Sequence, residues 1–231
     1  MLEFKQYQLG HQPKNLVIFL HGYNGTLEDH QYAVDWLKKY LENTILITPQ
    51  APEICDKNPH KKQWFGMLKY DPENKRRNKE TSIRDIFSIY DAAATEIDSC
   101  ADIINDFVST QQKKYNIDDA HTFIIGFSQG AMLALYTSLT RPAPLGGVFV
   151  LSGLVAAEAA LSQKIASHPP IYMFHGTEDL KVQYKTLIHS VKCLQKLHVP
   201  IKYTVYQDLA HQISEEEIKA VAEIINLFKT E

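Results

Sequence analysis

The sequence predicts an α/β protein with a mostly parallel central sheet and helices on both faces. Two patterns carry this expectation: short continuous apolar runs, the mark of strands covered on both sides, and longer stretches of helical periodicity between them. Alternation of the two along one chain specifies a parallel sheet, and such sheets bind ligands beyond the carboxyl ends of their strands.

The elements follow in order. Leu2 to Leu9 alternates polar and apolar residues, as a half-buried edge strand does, and Asn15 to Leu20 is the first continuous apolar run. Similar runs recur at Thr44 to Thr48, Thr122 to Ile125, Val148 to Leu151, Ile171 to Phe174 and Ile201 to Tyr206, each ended by Gly, Pro, Asp or Ser. Between them Ile86, Tyr90, Ala93, Ile97, Cys100, Ile104 and Phe107 step by four and three along one face of a helix. Further helices are expected over Ala131 to Thr140 and Tyr184 to Leu197. The last begins at a capping box, Ser214 with Glu217, ahead of the stripe Ile218, Val221, Ala222, Ile225 and Phe228. Ala51 to Ser82 is polar, holds three prolines and lacks periodicity. A connection of that length is read as a loop or lid insertion near the site, and its charged part, Lys69 to Glu80, as a solvated loop.

At 231 residues with 45% hydrophobic side chains, the whole chain, 1–231, is expected to form one domain around one core. The 24 basic and 27 acidic residues leave a net charge of -3, which gives no field favouring nucleic acid or an anionic membrane. The first ten residues lack the layout of a secretion signal and no apolar run approaches a membrane span, so a cytoplasmic location without membrane insertion is expected. Cys55, Cys100 and Cys193 are widely separated, show no CxxC spacing, and read as buried thiols.

The chemistry starts at Gly126-Phe127-Ser128-Gln129-Gly130, which follows an expected strand and precedes an expected helix. That is the setting of a nucleophile elbow, a turn so sharp that glycines must flank the serine. A serine hydroxyl needs a base to take its proton and a carboxylate to orient that base, and behind such an elbow they follow in the order Ser, Asp or Glu, His. His189 and His198 fall in or at the end of a helix, whereas His211 lies in a strand-to-helix loop at the active end of the sheet. Asp179 is the preferred carboxylate because it sits on a different loop from His211 and so approaches the imidazole from the side away from Ser128; Glu178 and Asp208 remain alternatives. Two backbone N–H groups must hold the oxyanion. Gln129, next after the nucleophile, supplies one, and Tyr23 in the loop His21-Gly22-Tyr23-Asn24-Gly25 the other, with His21 bracing that loop.

These motifs together resemble the phospholipase/carboxylesterase group of α/β-hydrolases, which includes the acyl-protein thioesterases. The likeness spans nearly the whole chain and rests on Leu20-His21-Gly22, Pro49-Gln50-Ala51-Pro52 with Gln63-Trp64-Phe65, the elbow running into Ala134-Leu135-Tyr136, His175-Gly176 with Asp179, and Ala210-His211. It implies an α/β-hydrolase fold, a Ser128, Asp179, His211 triad, carboxylesterase or thioesterase activity without metal or cofactor, and dimers. Family members often carry Leu-Gly-Asp after His-Gly where this chain has Tyr23-Asn24-Gly25, a difference placed to reshape the acyl pocket.

Small acyl esters, lysophospholipids and acylated proteins are the expected substrate classes. Trp64 and Phe65, an apolar pair in a charged connection, are candidate walls of the acyl site, with packing of the loop onto the body as the other reading. A dienelactone hydrolase-like enzyme is the competing enzymatic reading, weakened because Ser128 stands where a cysteine would be expected. A non-catalytic hydrolase-fold binding protein is the other, weakened because every expected catalytic element is present. A metallohydrolase is disfavoured by the lack of HExxH or clustered ligand spacing.

Overall fold

The computed structural model describes residues 2–228. Seven strands form one sheet in the order β1-β3-β2-β6-β7-β8-β9: β1 (Phe4–Leu9), β2 (Asn15–Leu20), β3 (Thr44–Pro49), β6 (Thr122–Phe127), β7 (Gly147–Leu151), β8 (Ile171–Gly176) and β9 (Ile201–Tyr206). Only β1, at an edge, runs antiparallel, against β3; the other neighbours are parallel. Every expected strand is there. The central ones, β2, β3, β6 and β7, are buried at every position, whereas β1 keeps alternate residues exposed.

Because side chains alternate across a strand, each continuous apolar run feeds two cores. Leu16, Ile18, Ile124, Val148 and Val150 face one side, with α2 (Ile83–Ala92), α3 (Ala94–Tyr115), α4 (Gln129–Thr140), α5 (Glu158–Lys164) and α6 (Lys185–Lys196). Val17, Phe19, Phe123, Ile125 and Phe149 face the other, under α1 (Gln31–Tyr40) and α7 (Glu215–Asn226). The sheet is therefore covered on both faces, as the apolar runs require. Among the described residues no helix is long and apolar enough to cross a membrane. All three cysteines are free and buried.

Three expectations need correction. The stripe from Ile86 to Phe107 is buried throughout, but it lies on two helices that break at Ala93 (φ -86°, ψ 5°), not on one. The periodicity survives because the second helix resumes on the same face. The stretch 51–82 is not irregular: β4 (Glu53–Cys55) and β5 (Asn58–Gln63) pair as an antiparallel hairpin, and Lys75–Arg77 forms a 3-10 turn. The hairpin is largely polar and escapes any search for apolar alternation. Nor is Lys69 to Glu80 simply solvated, since Arg76 is buried on an ion pair with Asp71, 2.5 Å apart.

The capping box forms as expected, with Ser214 N–H donating to Glu217 Oε2 at 2.8 Å and Glu217 N–H to Ser214 Oγ at 3.2 Å. Glu217 is nonetheless fully buried, and its Oε1 has no partner among the described residues. Burial, opposed by the bonds to Ser214, pushes its pKa up to about 7. Between an unfolded value of about 4.3 and that level the folded state holds the extra proton, so stability falls as pH rises through the window, on the order of 3 kcal/mol in all. Glu217→Gln should flatten this fall. Urea unfolding at pH 5 and pH 7 checks it; equal pH dependence in wild type and variant would contradict it.

Candidate active site

The register of the parallel strands brings their carboxyl ends to one rim: Leu20 of β2 pairs with Gly126 of β6, Phe127 with Leu151 of β7, and Gly176 of β8 with Tyr206 of β9. Ser128, Asp179 and His211 each follow one of these strands. Ser128 sits at φ 55° and ψ -116°, a conformation costly for any residue with a Cβ and held only where its surroundings impose it. Its N–H donates to Leu151 O at 2.9 Å, and its carbonyl accepts from Ala131 and Met132 in the first turn of α4. The flanking glycines are steric necessities. A Cβ on Gly126 would lie 2.3 Å from Gly130 O, and one on Gly130 would lie 2.3 Å from Leu20 O and 2.4 Å from His21 O. Gly130 thus lets α4 press against the end of β2, which draws the 21–25 loop up to the serine.

His211 Nε2 lies 3.0 Å from Ser128 Oγ, and its Nδ1 lies 2.7 Å from Asp179 Oδ2. A carboxylate only accepts, so Nδ1 carries the proton and Nε2 is left to accept from the serine hydroxyl. Asp179 is buried, and its Oδ1 accepts from the N–H groups of Lys181 and Val182, both at 2.9 Å. Burial alone would raise its pKa; the His211 bond and charge and the Val182 N–H outweigh that and hold it below the usual carboxylate range. Glu178 and Asp208 are exposed, and among the described residues neither carboxylate makes a hydrogen bond or ion pair with His211. His189 pairs with Glu158 Oε2 at 2.8 Å, and His198 lies just past α6, so neither reaches the serine.

The 21–25 loop is fixed from several directions. His21 donates from Nδ1 to Gly22 O at 2.8 Å and accepts at Nε2 from Ala51 N–H at 3.1 Å, the bracing role expected of it. Gly25 exchanges backbone hydrogen bonds with Lys62 of β5, and the Tyr23 hydroxyl donates to Asp56. A Cβ on Gly22 would lie 3.5 Å from Ser128 Cβ, which measures how closely the loop approaches. The main-chain N–H groups of Tyr23 and Gln129 have no acceptor among the described residues. Both residues line a cavity of about 360 Å³ that opens onto Ser128 and His211, whose wall also includes Met67, Met132, Arg76 and Arg77.

Trp64 and Phe65 are not on that wall. Trp64 is 1% exposed and Phe65 0%, and both pack in the core beneath the rim. The Trp64 indole N–H donates to His21 O at 2.7 Å, and its ring meets the His21 ring at 5.1 Å. The Gln129 side chain holds both residues, accepting from Trp64 N–H at 3.0 Å and donating to Phe65 O at 2.7 Å. The pair therefore braces the elbow and the 21–25 loop from below. Trp64→Ala should cost about 3–5 kcal/mol of stability and lower kcat/KM uniformly for acetate through decanoate esters. Thermal melts and that ester series check it; selective loss on long chains with unchanged stability would return Trp64 to the acyl site. Arg76 and Arg77 were missed by the sequence reading, since interleaved charge does not show which side chain turns inward.

The phospholipase/carboxylesterase family model matches residues 8–229. The chain belongs to that family. Among curated relatives, acyl-protein thioesterase 1 of Saccharomyces cerevisiae is 26% identical over 228 residues, 92% of each chain. Carboxylesterase SOBER1 of Arabidopsis thaliana is 34% identical over 104 residues, 44% of this chain and 46% of that protein. Among solved structures, esterase PE8 superposes with a TM-score of 0.82 at 24% identity, covering 99% of both chains. SOBER1 itself superposes with a TM-score of 0.75 at 22% identity, covering 92% and 98%. The family's fold, a mostly parallel sheet with helices on both faces, is the one seen here.

Proposed function

We propose that this family member is a serine hydrolase that cleaves carboxylic esters or thioesters through an acyl-enzyme, with Ser128 as nucleophile, His211 as general base and Asp179 as the carboxylate that orients it. The observation that carries the reading is the continuous chain from Ser128 Oγ to His211 Nε2 and from His211 Nδ1 to Asp179 Oδ2, at 3.0 and 2.7 Å, opening into a cavity. Ser128 Oγ attacks the carbonyl carbon as its proton passes to His211 Nε2. The negative charge that collects on the carbonyl oxygen is held by the main-chain N–H groups of Tyr23 and Gln129, already free of other acceptors and so costing no rearrangement. Collapse expels the alcohol or thiol, which takes the proton from His211, and leaves the acyl group on Ser128. Water then gives a proton to His211 and attacks the acyl carbon. A second tetrahedral species releases the acid and returns the proton to Ser128. Asp179, kept ionised by its partners, steadies the imidazolium in both halves.

The test is rapid-mix kinetics on matched esters and thioesters of increasing acyl length. The proposal expects a burst of alcohol or thiol stoichiometric with enzyme wherever deacylation is slow, with the acyl group recovered on Ser128 by peptide mass. Turnover without any acyl-enzyme, or an acyl group on another residue, would overturn it.

A further inference from the structure

The charged turn Lys75–Arg77 stands on the wall of the cavity beside Ser128 through Arg76 and Arg77. Its two arginines are in different states. Arg76 is buried and neutralised by Asp71. Arg77 is half-buried, its Nε is shielded from water without a hydrogen-bond partner, and no carboxylate lies within ion-pair distance of it among the described residues. Burial and the neighbouring Arg76 charge both work against its cation. An unpaired, partly desolvated guanidinium is costly unless something completes it.

The turn is built to hold it there. Asp71 accepts from the Lys75 and Arg76 main-chain N–H groups at 2.6 and 3.3 Å as well as from the Arg76 guanidinium. The buried Gln183 side chain donates to Arg76 O at 2.8 Å and Asn78 O at 2.9 Å, one bond on each side of Arg77. Lys185 Nζ donates to Lys79 O and Thr81 O at 2.8 and 2.6 Å. The cavity's own charges leave Arg77 unanswered: Asp29 is the one carboxylate among its described lining residues, and Lys61 already holds it at 2.7 Å. Lys57 and Lys181, both exposed, add positive charge at the same cavity.

We infer that the cavity takes an ester or thioester bearing a carboxylate, and that Arg77 is the residue that pairs with it. The inference rests on the hydrolase reading above and narrows its substrate class from esters and thioesters at large to those that carry a carboxylate. The planar guanidinium presents paired N–H groups at its two Nη nitrogens, a fork that matches the two oxygens of a carboxylate, and such charge-assisted pairs are about twice as strong as neutral hydrogen bonds. The carboxylate belongs either to the acyl part or to the alcohol part, and the two are separable by choice of ester.

Two isosteric pairs decide it by kcat/KM. Monomethyl glutarate against methyl 5-methylhexanoate places the charge on the acyl side; 3-carboxypropyl butanoate against 4-methylpentyl butanoate places it on the alcohol side. The expected result is a preference of at least tenfold for the acid in one pair, reduced at least tenfold in that ratio by Arg77→Gln and only partly by Arg77→Lys, which keeps the charge and loses the fork. Hydrolysis with no acid preference in either pair, or an equal loss on both members of the preferred pair in R77Q, would overturn the inference while leaving the hydrolase intact. Should R77Q fail to fold by circular dichroism, the wild-type ratios and R77K decide alone. Failure of all four esters together with absence of fluorophosphonate labelling at Ser128 would instead remove the hydrolase reading on which this one stands.

Discussion

Ser128→Ala should lower ester hydrolysis ten-thousand-fold to a million-fold, on the order seen when a serine nucleophile is removed from a triad that works as a unit. The loss is expected to fall on kcat, because the hydroxyl makes no bond that binds substrate in its ground state and supplies the bond that forms in the transition state. The fold should survive. The backbone at Ser128 is held by its N–H to Leu151 O and by the first turn of α4, both independent of the side chain, and the hydroxyl's partner, His211 Nε2, is near enough to the cavity to find water instead. Circular dichroism and thermal melting alongside kcat and KM check both halves. Retention of more than a tenth of the activity would sink the assignment of Ser128 as nucleophile.

Asp179→Asn should cost about ten-thousand-fold in kcat with little change in stability. The side-chain oxygen of asparagine still accepts from the Lys181 and Val182 N–H groups, so the amide is forced to point its NH2 at His211 Nδ1. A donor there requires Nδ1 to be the bare nitrogen, which puts the ring proton on Nε2, where it meets Ser128 Oγ and leaves no site to take the hydroxyl proton. Glu178→Gln and Asp208→Asn should stay within a few-fold of wild type, since both residues are exposed and the carboxylate bonded to His211 is that of Asp179. Kinetics of the three variants in parallel separate the carboxylates; equal losses in all three would mean that the Asp179 contact does not govern the imidazole.

Much of this architecture is legible in the residues, for a physical reason. A strand buried on both faces has no alternative to being apolar throughout, so Asn15 to Leu20 marks its strand to the residue; β9, exposed at Lys202 to Thr204 on the sheet edge, is marked instead by its β-branched and aromatic residues. The site is legible because its parts are steric and chemical necessities: one glycine that lets β6 turn into α4, another that lets α4 press on the end of β2, and a serine, a carboxylate and an imidazole each placed just past a strand end. What escaped was set by tertiary contact. The break at Ala93 leaves no trace in a stripe that keeps its phase across it. The β4–β5 hairpin is polar because it lies over the rim with little to bury. Trp64 and Phe65 betray burial but not which surface buries them, and only the bonds to His21 and Gln129 show that they prop the site from beneath. Arg77 is indistinguishable in composition from its solvated neighbours, and its direction comes from Asp71 and Gln183, six residues before it and far along the chain.

The most direct test of the account is intact-protein mass after exposure to a fluorophosphonate, followed by peptide mapping. The account predicts one adduct per chain on Ser128, formed at a rate that collapses in His211→Ala and in Asp179→Asn, because a serine becomes this reactive only when its proton has somewhere to go. An unlabelled chain, an adduct on another residue, or labelling of Ser128 indifferent to both substitutions would contradict it.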